Sequence, residues 1–119
     1  MKQLILITFS LLYIGCIKKH KSTTKICGGQ LYVESFNVNS AGVDEDYLTD
    51  SLSFRVYVGK FDNEHENFSY VCNEDSIRIM KLVVETYGKK MKITDSKLLS
   101  LSDLKNKRMS INKPLFDFK

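Results

Sequence analysis

Between Ser53 and Phe61 the chain reads Ser-Phe-Arg-Val-Tyr-Val-Gly-Lys-Phe. Phe54, Val56 and Val58 fall on one side and Arg55 and Tyr57 on the other, which is the period-two pattern of a half-buried strand. Leu31 to Val38, rich in Leu, Tyr, Val and Phe, suits a second strand. After a polar turn from Asp62 to Asn67, the stretch Phe68 to Asn73 returns with Phe68, Tyr70 and Cys72 on one face. Asn73-Glu74-Asp75 turns again into Ile77 to Thr86. These last three strands, 53–61, 68–73 and 77–86, read as a β-meander.

Ser76 to Lys90 also fits one helical face through Ile79, Met80, Val83, Val84 and Tyr87. Four β-branched aliphatics in eight residues decide for strand, with a bulge or two-sided burial where the alternation breaks near Lys81. Tyr87 to Lys90 reads as a turn into Met91 to Thr94, and Lys97 to Leu101 adds a further strand. Ser102-Asp103-Leu104-Lys105 resembles a capped helix start. The chain has a single alanine, Ala41, and low alanine weakens helices generally. The expected fold is mainly β: a small antiparallel sheet of about five to six strands, curled as a sandwich or half-barrel, with a short C-terminal helix.

The N-terminus follows other rules. Lys2 precedes an apolar run from Leu4 to Ile14 that is eleven residues long, then come Gly15 and Cys16. A bilayer-spanning helix needs about 20 apolar residues, so the run fits the apolar region of a secretory signal. No A-x-A-like cleavage site is present. Leu12-Tyr13-Ile14-Gly15-Cys16 instead resembles the lipobox of bacterial lipoproteins, with Tyr13 where that pattern prefers leucine. The resemblance covers residues 1–16 and implies a signal peptide over 1–15, lipidation of Cys16, and attachment to membrane lipid through that acylated cysteine. It further implies a cell-envelope location, by default the outer membrane facing the periplasm.

Removal of residues 1–15 leaves 104 residues, room for a single domain. Residues 16–26 hold Lys18, Lys19, His20, Lys21 and Lys25 with few apolar side chains, and read as the lipidated cysteine followed by a flexible tether. Residues 27–119 then form the β-rich domain. Its charge is uneven: residues 28–80 carry a net of −7 and residues 81–119 a net of +6. The basic end lacks the interleaved aromatics of a nucleic-acid-binding sheet, so no nucleic-acid partner is expected. The four lysines after Cys16 lie where anionic headgroups would attract them.

Cys27 and Cys72 are the remaining pair of cysteines, and outside the cytoplasm they are natural disulfide partners. Asn39 to Ser51 reads as a polar, acidic loop. Asp44, Glu45 and Asp46 in it, with Asp62, Glu64 and Glu66 further on, are candidate partner-facing acidic loops. Neither run meets the EF-hand spacing, so no metal site is assigned. His20 and His65 are the only histidines, and no serine stands in a G-x-S-x-G or S-x-x-K motif. The expectation is therefore a non-enzymatic binding or scaffolding module with no cofactor and an unspecified protein partner. The alternative is an inhibitor or immunity protein that presents the acidic loops to a secreted hydrolase or toxin.

Overall fold

The computed structural model describes residues 18–38, 42–85, 90–107 and 110–118. The signal segment and Cys16 lie outside the described residues, as do Thr86 and most of the expected turn from Tyr87 to Lys90. Among the described residues, eight strands and one α-helix follow in order: β1 (Lys19–Ile26), β2 (Leu31–Val38), β3 (Val43–Thr49), β4 (Arg55–Asp62), β5 (Glu66–Asn73), β6 (Ser76–Glu85), β7 (Lys90–Ser100), α1 (Leu101–Lys107) and β8 (Ser110–Ile111). They make two sheets, ordered β1-β2-β3-β4-β8 and β5-β6-β7. All pairings are antiparallel except the short parallel contact of β8 with β4.

The expected mainly-β fold and C-terminal helix are present, with several differences of detail. The tether from residue 16 to 26 is largely strand β1, whose backbone pairs with β2 from Lys19↔Asn37 to Ile26↔Leu31. A polar sequence holds a strand here because β1 is an edge: its side chains stay exposed while the ladder supplies the backbone hydrogen bonds. The loop from Asn39 to Ser51 contains strand β3. The meander is also drawn differently. β4 closes the first sheet, and the consecutive strands of the second are β5, β6 and β7. Met91–Thr94 and Lys97–Ser100 merge into the single strand β7, and Leu101, expected at its end, starts α1 instead. The expected irregularity near Lys81 is a bulge that places Thr94 as the extra residue of β7, between the pairs Lys81↔Asp95 and Leu82↔Ile93.

Leu31, Val33, Leu48, Val56 and Val58 from the first sheet share one core with Phe68, Ile77 and Ile79 from the second. Phe54, Phe61, Leu101, Leu104 and Phe116 complete it. A bulge at Val58–Gly59 changes the phase of β4, so that Phe61 points to the same side as Val56. Gly59 has φ +142°, and a Cβ there would meet the Phe116 carbonyl oxygen at 2.6 Å. That closeness lets the C-terminal segment cover the edge of β4: Leu115 N–H donates to the Tyr57 carbonyl and Phe116 N–H to that of Val58, each at 3.1 Å. Helix α1 starts against the β5–β6 turn, where Asp75 accepts from the Ser102 amide at 3.1 Å and from its hydroxyl at 2.7 Å. Among the described residues no helix is long and apolar enough to cross a membrane.

Candidate functional site

Strand β3 carries the sequence Val-Asp-Glu-Asp-Tyr-Leu-Thr. Side chains alternate along a strand, so Asp44, Asp46 and Leu48 face the second sheet while Glu45 and Tyr47 face outward. All three carboxylates are nonetheless buried, Asp44 and Asp46 to 3% exposure and Glu45 to 0%. An ionised group is taken out of water only when it is hydrogen-bonded or paired, and each of the three is.

On the inner face, Asp44 Oδ2 meets Lys21 Nζ at 2.5 Å, and its Oδ1 accepts from Asn37 at 3.0 Å and Asn63 at 3.1 Å. Burial pushes the Asp44 carboxyl pKa up, but the bonds from Lys21, Asn37 and Asn63 outweigh it and hold the group below the usual carboxylate value. Asp46 accepts from Ser35 Oγ and from the Tyr70 hydroxyl, both at 2.7 Å. Here burial wins: the Asp46 pKa is raised, helped by the Asp44 charge and opposed by the two donors. The Tyr70 hydroxyl, buried against that carboxylate, is raised well above its ordinary value. Because Tyr70 belongs to β5, its bond to Asp46 joins the two sheets.

The outward face is aromatic and cationic. Tyr47 and Tyr57, opposite each other on β3 and β4, stack with centroids 4.9 Å apart. Phe36 meets the Tyr47 ring edge-on at 5.6 Å, and His20 meets Phe36 at 5.4 Å, so a row of rings crosses β1 to β4. Arg55 lies 4.0 Å above the Tyr47 centroid, and Lys18 lies 5.4 Å from that ring and 5.9 Å from Tyr57. Beneath them, Glu45 pairs with Lys18 and accepts from the Tyr57 hydroxyl at 2.6 Å. Burial and the Glu45 carboxylate raise the Tyr57 pKa. For Lys18, burial lowers the pKa, and the bonds to Glu45 and Tyr47 more than reverse that.

Asp62, Glu64 and Glu66 sit at the corner where β4 passes to β5, and only these of the six sequence-predicted acidic residues lie in or beside a turn. Asp62 Oδ1 accepts from the Glu64 amide at 3.0 Å, and its Oδ2 lies 3.0 Å from His65 Nδ1. The bond to His65 comes first among the causes that lower the Asp62 pKa and raise that of His65. Asp62, Glu64 and His65 each bring one ligand atom within 4.8 Å of the others, an arrangement of largely exposed groups in which Asp62 is bonded to His65 and to the Glu64 amide. Glu66 turns inward instead, accepting from the Asp62 amide at 2.9 Å and pairing with buried Lys81 at 3.3 Å. A cleft of about 410 Å³ lies beside the corner, lined in part by Lys21, Asp44, Asn63, Glu64 and Glu66.

The row of rings escaped the sequence because its members come from four strands, and only the register of β1 and β3 aligns them. One signal was available. Ser35 and Asn37 interrupt the inward apolar series of Leu31 and Val33 at the same spacing as Asp46 and Asp44, as a polar partner strand would require.

Cys27, in the turn after β1, and Cys72, on β5, form a disulfide with Cα atoms 5.5 Å apart, so the bridge crosses from one sheet to the other. The bonded pair matches the expectation from the sequence. Comparison with family models, with curated proteins and with solved structures finds no match.

Proposed function

We propose that this chain is a lipid-anchored protein of the bacterial cell envelope, held through an acylated Cys16, whose β domain binds or scaffolds without catalysing a reaction. The Cys27–Cys72 bridge is the observation that carries the address, because a disulfide that links the two sheets belongs to an oxidising compartment and begins only eleven residues after Cys16. An open sheet face of stacked rings and cations supports binding, since amphipathic aromatic and arginine side chains are the groups that dominate recognition surfaces. Of the acidic residues that the inhibitor or immunity reading would present, Asp44, Glu45 and Asp46 are buried and already bonded, which leaves only Asp62 and Glu64 at the surface for a partner. The periplasmic face of the outer membrane is the proposed site.

The test is Cys16→Ala in cells supplied with labelled palmitate. The substitution should abolish labelling and leave the uncleaved precursor, because the sulfur is the acylation site and no A-x-A alternative exists. A wild-type mature N-terminus at any residue other than Cys16, read by mass spectrometry, removes the proposal.

A further inference from the structure

Covalent geometry limits where the domain can sit if Cys16 is acylated. Strand β1 starts at Lys19, so the slack expected of an eleven-residue tether is absent. Cys16 is two residues from Lys18, and at no more than about 3.6 Å per residue the two Cα atoms lie within about 7 Å of each other. Lys18 itself is fixed on the outer face of the first sheet: its Nζ donates to the Tyr47 hydroxyl at 2.9 Å and pairs with Glu45. The surface next to the lipid is therefore the row of His20, Phe36, Tyr47 and Tyr57 with Lys18 and Arg55.

Resting on the lipid-anchor proposal, the geometry points to this face as a docking surface for the anionic headgroups of the same bilayer. Its chemistry suits that occupant. Tyrosine rings with an apolar body and a polar tip favour the headgroup level, and Lys and Arg side chains are drawn to a negative surface. Lys18, Lys25, Arg55 and Lys60 on this face outnumber Glu34 and Glu45, of which Glu45 is fully buried and Glu34 is paired with Arg55 at 3.5 Å. The outer face of the second sheet, with Val71, Ile93 and Leu98 exposed, is on the far side of the shared core.

The full chain, exported and purified in detergent, is reconstituted into vesicles of phosphatidylethanolamine and phosphatidylglycerol that contain a lipid with a photoreactive headgroup. Labelled peptides are then mapped. Labelling should concentrate in 31–38 and 47–57. Arg55→Gln should reduce it about fivefold, the effect of one cation lost near the surface, while Arg78→Gln on the second sheet leaves it unchanged. Replacing phosphatidylglycerol by phosphatidylcholine should reduce it by at least as much. Intact mass of the same preparation separates the two ideas: absent acyl mass overturns the anchor and the docking together. Acylated protein whose label falls on 71 and 93–98, or is the same in both vesicle types, overturns the docking alone. Cross-links between copies through 47–57 would assign the face to self-association instead.

Discussion

Replacing Tyr70 by phenylalanine removes one oxygen from the seam between the sheets. The Tyr70 hydroxyl donates to Asp46 Oδ2 at 2.7 Å, and Asp46 is 3% exposed, so water cannot readily take the vacated place. A hydrogen bond to a charged group is worth about 1.5–3 kcal/mol, and the ring is otherwise retained, so Tyr70→Phe should cost that much at pH 7. At ~4 °C per kcal/mol for a domain of this size, Tm should fall by about 6–12 °C. The sign of the pH dependence follows from Asp46. Its folded pKa is raised by burial, so its contribution to stability is fully present below the ordinary aspartate value and is lost as pH rises through the folded one. The Tyr70 bond opposes that rise, so its removal moves the folded pKa higher and makes the variant's deficit larger at pH 7 than at pH 4. Urea unfolding followed by far-UV circular dichroism at both pH values, with the disulfide intact, measures it. Asp46→Asn, which still offers an oxygen to Tyr70 and an amide to Ser35, should cost less at pH 7. A Tyr70→Phe deficit below about 0.5 kcal/mol at pH 7, or one that grows in acid, would refute the account of a charged, bridged carboxylate.

Two further changes test the joints of the fold. Cys27 and Cys72 are 45 residues apart, and closing a loop of that length stabilises by about 4 kcal/mol in the chain-entropy description. Either cysteine changed to serine should cost a comparable amount in urea unfolding, and the double variant no more than a single one, because one cross-link is lost in every case. Gly59→Ala forces a Cβ against the Phe116 carbonyl at a φ that side chains avoid, and should cost at least about 2 kcal/mol. Hydrogen exchange should show the Phe116 amide, bonded to Val58, among the groups that open first; unchanged protection there would mean the segment does not depend on Gly59.

Strands with an apolar inner series were legible. Leu31–Val38 matches β2 residue for residue, and 55–61, 68–73 and 77–85 of the expected strands fall on β4, β5 and β6. β3 was not legible, because Asp44, Glu45 and Asp46 belong on a surface unless Lys18, Lys21, Ser35, Asn37 and Tyr70 are brought to them, and those partners lie on other strands or, for Lys18, just before one. β1 was missed for the related reason that an edge strand with exposed side chains carries no apolar period, only the backbone ladder. The disulfide could be named because the sequence left a single pair. Which elements it joins depended on β4 and β5 parting into different sheets, and nothing local to either strand records that.

The bridge also sets how the domain answers a pull. Force that enters at the N-terminus meets β1 first, and once that edge strand has peeled away the load reaches Cys27. From there it passes through the sulfurs to Cys72 on β5, and the 45-residue span between them carries no tension. Strands β2, β3 and β4 then remain slack within a covalent loop, and about 150 Å of contour length, at ~3.4 Å per residue, is withheld from extension until the bond is reduced. The chain thus behaves as a tether with a stop built in at its first turn.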